Sequence, residues 1–230
     1  MSKHIGIVGC SAEGAALCYR TICLEGKEYL GEHAHPEITM HTFPLAEYMR
    51  FIQTGDWRGV ADLMLASEAK LAAAGADFMI SPDNTIHEAF GLVLEKAKRP
   101  WLHIAEAVAE EADRLHFRQL AVLGTRYLME GPVYPAKLNG KGIGCLIPDR
   151  EDREKINTMI FSELVYGIIT PESTACFASI IEKMKELGCD AVVLGCTEIP
   201  LIVTPQNSPL PVLDSTRLLA RAALRRAVED

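Results

Sequence analysis

Short apolar runs alternate with amphipathic stretches along the chain, and apolar runs of this kind are typical of buried strands. The candidate strands cover residues 4–8, 38–43, 78–81, 101–104, 120–124, 144–147, 191–195 and 211–213. Helical periodicity fills most intervals, as at residues 57–74 and 174–187, which are followed by Gly75 and Gly188 where C-terminal caps belong. Because strands that alternate with helices form parallel sheets, the pattern predicts an α/β protein.

Three short segments recur in the same order along the chain. Residues 5–9 resemble 120–124, residues 75–80 resemble 188–193 and residues 100–103 resemble 211–214, at offsets of 115, 113 and 111 positions. Each match is weak alone, and chance similarity between buried strands is the alternative. Three matches at nearly constant offset favour two homologous halves related by pseudo-symmetry.

The repeat predicts two pseudo-symmetric Rossmann-like domains, each with a short parallel sheet flanked by helices and with an active-site cleft between them. We place the first domain at residues 1–104 plus 214–230, so that the C-terminal helix returns to it, and the second at residues 105–213. Two sheets that face each other would place strand-end loops on opposite sides of one ligand, because open parallel sheets bind ligands beyond the carboxyl ends of their strands.

Four small polar loops, at residues 9–14, 81–87, 124–127 and 195–198, follow the repeated strands. We expect each loop to lead into a helix, whose N-terminus binds carboxylates and lowers the pKa of a thiol. A small carboxylate is therefore a reasonable substrate. The residues expected to contact it are Ser11, Asn84, Thr85, Thr125, Thr197 and Glu198.

The charge and cysteine content exclude several function classes. The chain has 230 residues, a formal net charge of -8 and an estimated pI of 5.4, which argues against nucleic acid or an anionic membrane as the main partner. No apolar stretch reaches the roughly 20 residues of a membrane helix, and no signal-peptide pattern is present. The seven cysteines are scattered without a CxxC pair or a zinc spacing, so we expect free thiols and a cytoplasmic location.

Several motifs resemble those of the cofactor-independent aspartate/glutamate racemase superfamily. Leu-Gly-Cys-Thr-Glu-Ile at 194–199 resembles its second-cysteine signature, and Asn-Thr-Ile-His at 84–87 resembles the tail of its first signature, Cys-x-Asn-Thr-x-His. Residues 123–130, and 155–157 with 160–164, resemble further family strings, so that the likeness covers nearly the whole chain in order. It implies two α/β domains, frequent homodimers, and catalysis without pyridoxal phosphate or a metal.

The resemblance also implies a mechanism in which two cysteines flank the substrate α-carbon, one removing a proton as thiolate and the other delivering one. Cys196 matches the second cysteine and is the predicted acid/base catalyst, the alternative being a small buried residue. Pro82, which has no titratable group, stands where the first cysteine belongs. Asp83 is the nearest replacement base, and an N-cap or turn role is its alternative. Cys10, on another strand-end loop, is a further candidate, with ordinary packing as its alternative.

Other positions bear on orientation and specificity. His87 matches the family histidine, which would orient its neighbours or simply pack. Aspartate-specific relatives hold the distal carboxylate with basic side chains, whereas a loose alignment gives Tyr48 and Val165 at those places. Arg50 and Arg126 are close in sequence and could substitute for them.

Three functions remain open. The first is an amino-acid racemase or epimerase that acts at the α-carbon of a small carboxylate through Cys196 and a non-standard second base. The second is a one-thiol decarboxylase of the arylmalonate decarboxylase type, which needs no second base and therefore agrees with Pro82. The third is an inactive binder of a small carboxylate. The similarity along the whole chain favours the first.

Overall fold

Seven short strands form two separate parallel sheets in the computed structural model, which describes residues 2–229. The first sheet has the order β2-β1-β3 and the second has the order β5-β4-β6-β7. The strands are β1 (Ile5–Gly9), β2 (Ile38–Thr42), β3 (Phe78–Ile80), β4 (Gln119–Leu123), β5 (Gly144–Leu146), β6 (Ala191–Leu194) and β7 (Val212–Asp214). Two parallel sheets flanked by helices confirm the predicted α/β class.

The helices lie between the strands in the α/β alternation that the sequence predicts. They are α1 (Ala12–Glu25), α2 (Lys27–Leu30), α3 (Leu45–Ile52), α4 (Trp57–Ala73), α5 (Phe90–Leu94), α6 (Ile104–Arg114), α7 (Arg126–Glu130), α8 (Val133–Leu138), α9 (Arg150–Ser162), α10 (Pro171–Glu186) and α11 (Ser215–Val228). Short 3-10 helices cover Thr85–Ala89, Asn139–Lys141, Leu164–Tyr166 and Ile199–Leu201. Among the helices of residues 2–229, none is long and apolar enough to cross a membrane.

The chain divides into two compact units. Unit 1 comprises Met1–Ala107 with Thr216–Asp230, and unit 2 comprises Val108–Ser215. In unit 1 the apolar strands are covered by α1 and by α11, which supplies Leu219 and Leu224 to the core around Ile5. In unit 2 the core forms between β6 and the buried faces of α9 and α10, with Phe177 fully buried. Strands buried on both faces explain the continuous apolar runs in the sequence.

The strand register reproduces the sequence repeat within each unit. Ile5 of β1 pairs with Phe78 of β3, and its counterpart Leu120 of β4 pairs with Ala191 of β6. The correspondence continues to the next strand of each sheet. The bridge from Met79 to Trp101 in unit 1 corresponds to the pair formed by Val192 and Val212 in unit 2. The two halves of the chain therefore form the same parallel arrangement, residue for residue, in their central strands.

One predicted strand, at residues 101–104, is wrong in extent. Trp101 makes only an isolated bridge to Met79, and Ile104 already begins α6. The backbone N–H of Ala105 donates to His103 Nδ1 at 3.1 Å, so the chain turns into the helix directly after the bridge. The remaining strands lie within one or two residues of their predicted bounds.

Pro82 explains why β3 is shorter than β6. In unit 2 the N–H of Gly195 donates to the Leu123 carbonyl at 2.7 Å and continues the ladder past the end of β6. Counting along the paired strands, Pro82 occupies the same position in unit 1. Because proline has no N–H, the equivalent bond is absent and β3 ends at Ile80.

Replacing Gly195 by alanine tests how tightly this edge is packed. A Cβ on Gly195 would lie 2.5 Å from Leu128 Cδ2 and 2.8 Å from the Leu123 carbonyl oxygen, which is held in the β-ladder. We expect Gly195→Ala to lower the free energy of unfolding by about 1–3 kcal/mol, measured by urea denaturation. Gly140→Ala is the control, because a Cβ there meets nothing within 4 Å and should change stability by no more than about 0.5 kcal/mol. Equal midpoints for the two variants would contradict this packing.

Candidate functional site

The predicted catalytic thiol forms a hydrogen-bonded cluster with its two successors in unit 2. Cys196 follows β6 and is only 9% exposed, and Thr197 and Glu198 are buried beside it. The Cys196 thiol donates to Glu198 Oε2 at 2.9 Å, and the Thr197 hydroxyl donates to the same oxygen at 2.7 Å. A carboxylate that accepts the thiol hydrogen can take that proton and return it, which is the arrangement that acid/base catalysis needs.

The adjacent strand-end loop of unit 2 brings Thr125 to the same edge of the sheet. β4 and β6 are hydrogen-bonded neighbours, and a Cβ on Gly124 would lie 3.0 Å from the Gly195 carbonyl oxygen, so the two loops touch through glycines. Thr125 is half-buried and caps α7 by accepting the Leu128 N–H at 3.3 Å. The structure thus places Thr125 at the same edge of the sheet as Cys196, Thr197 and Glu198.

Each strand-end loop leads into a helix, as expected, but two of the four lead into 3-10 helices. After Cys196 the chain forms only the 3-10 helix Ile199–Leu201, and after Asp83 it forms the 3-10 helix Thr85–Ala89. Pro205 gives a physical reason in the first case, because the residue before a proline disfavours helical geometry and leaves room for a single turn. The segment after Cys196 is therefore a 3-10 helix, and the Cys196 thiol donates to the Glu198 carboxylate.

In unit 1, Asp83 joins the loop after β3 to the loop after β1. Its carboxylate accepts the Cys10 N–H at 3.0 Å and the Ser11 N–H at 3.1 Å. The Ser11 hydroxyl caps α1 by accepting the Gly14 N–H at 3.3 Å. Asp83 thus accepts hydrogen bonds from backbone N–H groups at the start of α1. This role resembles the N-cap role that was considered as the alternative to catalysis.

The strand register makes Asp83 the counterpart of Cys196. Asp83 lies five residues after Phe78, and Cys196 lies five residues after Ala191, the equivalent residue of the second sheet. A carboxylate thus occupies in unit 1 the place of the thiol in unit 2. Asn84 is buried, and Thr85 beside it is half-buried.

His87 holds the carbonyl that precedes Pro82. The buried His87 ring places Nε2 3.0 Å from the Ser81 carbonyl oxygen, with the proton on Nε2 for donation. Its ring centroid lies 4.6 Å from that of His103 and 5.3 Å from that of Phe90. The histidine therefore both orients the loop and packs against neighbouring rings, which are the two roles considered for it. His103 was missed, although its segment is one of the three that recur.

The positions considered for specificity differ in their surroundings. Tyr48 is fully buried, and burial raises the pKa of its hydroxyl, to which the nearby charges of Cys10 and Asp83 add. Arg50 and Arg126 are exposed, and their guanidinium groups lie over the rings of Phe51 and Tyr127 respectively. Val165 is half-buried in a 3-10 helix.

Two α/β units, each with a parallel sheet flanked by helices, define the same class of fold as solved aspartate and glutamate racemases. The chain belongs to the Asp/Glu/Hydantoin racemase family, whose model matches residues 7–223.

Individual relatives agree with this assignment. A Yersinia pestis structure described as a candidate Asp/Glu racemase is 33% identical, with a TM-score of 0.89, and the alignment covers 99% of this chain and all of that one. An aspartate racemase homologue from Pyrococcus horikoshii is 28% identical, with a TM-score of 0.85 and full coverage of both chains. The broad specificity amino-acid racemase RacX of Bacillus subtilis is 24% identical over 67% of this chain and 66% of its own length, just under two thirds.

Removing the Asp83 carboxylate tests its part in the fold. We expect Asp83→Ala to destabilise the protein by about 2–3 kcal/mol in thermal or urea denaturation, because the N–H groups of Cys10 and Ser11 lose a buried acceptor. Asp83→Asn keeps one acceptor oxygen and should fall between that variant and the parent. Asp62→Ala, at an exposed position on α4, serves as the control. If the Asp83→Ala variant were as stable as this control, Asp83 would have no structural role in holding the two loops.

Proposed function

We propose that the protein is an amino-acid racemase or epimerase that works without pyridoxal phosphate and acts at the α-carbon of a small carboxylate substrate. The single observation that carries the proposal is the hydrogen bond from the Cys196 thiol to the buried carboxylate of Glu198. Membership of the racemase family supplies the reaction class. The name of the Bacillus relative, a broad specificity amino-acid racemase, supports amino acids as substrates.

In the proposed mechanism Cys196 exchanges a proton with the α-carbon. Glu198 accepts the thiol proton, and the resulting thiolate removes the α-proton. In the reverse direction the protonated thiol delivers the proton to the α-carbon. The hydroxyl of Thr197 keeps Glu198 in position through its bond to Oε2. Ser11, Asn84, Thr85 and Thr125 are the proposed contacts for the substrate carboxylate and amine.

Inversion of the α-carbon needs a second acid/base group for the other face. We assign this task to unit 1 and to Asp83, which stands at the position equivalent to Cys196. The Asp83 carboxylate accepts the N–H groups of Cys10 and Ser11, which hold it beside the start of α1. The proposal also includes a cytoplasmic homodimer, with no nucleic-acid or membrane partner.

A one-thiol decarboxylase is the second candidate, and Pro82 is the observation that favours it. Proline can neither donate nor accept a proton, and Asp83 already binds two backbone N–H groups. Loss of carbon dioxide from a malonate would leave a carbanion that Cys196 protonates on one face. The third alternative, a binder that retains the cleft residues and has no turnover, predicts binding without proton exchange.

Hydrogen exchange at the α-carbon distinguishes these functions. The protein is incubated in deuterated water with both enantiomers of a panel of amino acids and with substituted malonates, and the α-proton is followed by NMR and the configuration by chiral chromatography. We expect exchange with inversion of at least one amino acid, and a loss of roughly 10²–10⁴-fold in Cys196→Ser. Cys176→Ser, on α10 of the same unit, is the matched control and should keep full activity.

The other outcomes are equally informative. Carbon dioxide release from a malonate without exchange of amino acids would replace the racemase with the decarboxylase. Binding of carboxylates with neither reaction would support the inactive binder. A Cys196→Ser variant with parental activity would refute every role proposed for this thiol.

The carboxylate partner of Cys196 can be tested separately. We expect Glu198→Gln to lower the rate of α-proton exchange roughly 10²-fold or more, because an amide cannot take the thiol proton. Glu182→Gln, a surface change on α10, is the control. Unchanged exchange in Glu198→Gln, with circular dichroism showing a native fold, would remove Glu198 from the mechanism.

A further inference from the structure

Two buried histidines contact each other next to the loop that follows β3 in unit 1. His87 is 2% exposed and His103 is 5% exposed, and their ring centroids lie 4.6 Å apart at an interplanar angle of 58°. His87 binds the loop itself, because its Nε2 donates to the Ser81 carbonyl oxygen at 3.0 Å. His103 lies directly before α6, and the proposed mechanism gives it no role.

The side chain of His103 is the N-cap of α6. Its Nδ1 accepts the N–H of Ala105, the second residue of the helix, at 3.1 Å, and its carbonyl accepts the N–H groups of Glu106 and Ala107. A ring nitrogen that accepts a hydrogen bond carries no proton, so the proton of this imidazole lies on Nε2. The cap therefore fixes both the position of the His103 ring and its tautomer.

Histidine is an unusual residue for this position. N-cap positions favour Ser, Thr, Asp and Asn, whose short side chains reach the N–H groups of the first turn. In the recurring segment of unit 2, residues 211–214, the place of His103 is taken by Asp214, directly before α11. Capping alone would be served by such a residue. The imidazole at 103 therefore indicates a second task, and His87 is a group that its ring contacts.

The rings around His87 fix the direction of its Nε2–H. Phe90 stacks on His87 with the centroids 5.3 Å apart and the planes 15° apart, and it meets the His103 ring at 4.6 Å in a T-shaped contact. His87, Phe90 and His103 thus contact one another in all three pairs. Because a ring enclosed in a close-packed interior cannot turn freely, these contacts hold the His87 donor towards Ser81.

The loop after β3 needs an anchor at this carbonyl. Gly195 of unit 2 donates its N–H to the Leu123 carbonyl at 2.7 Å, whereas Pro82 at the equivalent position has no N–H and β3 ends before it. The bond from His87 is made at Ser81, the residue directly before the proline. It holds the backbone beside the missing ladder bond, two residues before Asp83.

We infer that His103 is a positioning residue, which holds His87 in the orientation that donates to the Ser81 carbonyl and thereby fixes the backbone of residues 81–83. The inference rests on the proposed racemase function through Asp83, the proposed second acid/base group, which this loop carries. The hydrogen bonds and ring contacts that support it lie wholly within unit 1. His103 itself transfers no proton to or from the substrate.

Two substitutions separate the ring of His103 from its cap. His103→Asn keeps an acceptor for the Ala105 N–H and removes the ring, whereas His103→Phe keeps a ring and removes the acceptor. We expect α-proton exchange to fall roughly tenfold in His103→Asn, as for one lost hydrogen bond, and to stay near the parental rate in His103→Phe. A residue that only caps the helix would give the reverse order.

The control for these variants is His33→Asn. The His33 side chain is 91% exposed, and its φ of 63° is one that asparagine adopts readily. This variant should exchange the α-proton at the parental rate.

A double-mutant cycle tests whether His103 acts through His87. His87→Phe keeps the stacked ring and removes the donor to Ser81, and we expect it to slow exchange roughly tenfold or more. Adding His103→Asn to His87→Phe should slow exchange no further, because both changes remove the same hydrogen bond. Losses that multiply would show that His103 acts independently of His87 and would overturn the inference.

A spectroscopic measurement makes the test independent of catalysis. Long-range proton–nitrogen NMR spectra distinguish a protonated ring nitrogen from one with a lone pair. In the parent protein the His87 signals should show the proton on Nε2 alone. They should move towards a mixture of both tautomers in His103→Asn and remain unchanged in His33→Asn.

The contrary results separate this inference from the proposed function. Parental exchange together with unchanged His87 signals in His103→Asn, with circular dichroism showing a native fold, would overturn the inference and leave the racemase intact. A greater loss in His103→Phe than in His103→Asn would reduce His103 to a helix cap. If the parent exchanged no amino acid tested, the racemase would be overturned, and the His87 signals would still decide the role of His103.

Discussion

The parallel pairing of the central strands, β4 with β6 and β1 with β3, is the constraint on which the candidate site depends. Parallel strands end at the same edge of a sheet. Residues that are distant in sequence therefore lie close together there because of the strand pairing alone, without a specific side-chain contact between them. In unit 2 this edge is closed by Gly124 and Gly195, whose missing side chains let the two loops touch. Cys196 follows the second glycine, and its position is therefore set by backbone geometry.

The same pairing gives the two units different chemistry. Where Gly195 extends the ladder through its N–H, Pro82 ends it, and the β3 loop of unit 1 loses a backbone anchor. Asp83 supplies a substitute, because its carboxylate binds the N–H groups of Cys10 and Ser11 across the neighbouring loop. A side-chain carboxylate thus does in unit 1 part of what the backbone does in unit 2, and the presence of Pro82 and that of Asp83 are structurally connected.

The sequence alone was sufficient for the features that have a local signal. Apolar runs located the strands, and Gly75 and Gly188 marked helix ends, where both now show positive φ angles of 98° and 91°. The motif around Cys196 predicted its neighbours, since Thr197 and Glu198 are adjacent in sequence. Contacts between distant residues had no such signal. The bonds from Cys10 and Ser11 to Asp83 span more than seventy positions, and the burial of Tyr48 beside them depends on how α3 packs. The missing α-helix after Cys196 depended on Pro205, which the motif does not include.

Proton affinity distinguishes the two groups that are proposed to act on the α-carbon. A free aspartate has a pKa of about 3.9 and a free thiol one of about 8.5, a difference worth about 6 kcal/mol in the binding of a proton. The α-proton of an amino acid is a very weak acid, so the stronger base has the smaller barrier to overcome. The N–H groups of Cys10 and Ser11 hold the Asp83 carboxylate in place by two hydrogen bonds. A carboxylate is therefore the weaker base of the two group types, so of the two proposed acid/base residues Cys196 has the smaller barrier to removing the α-proton.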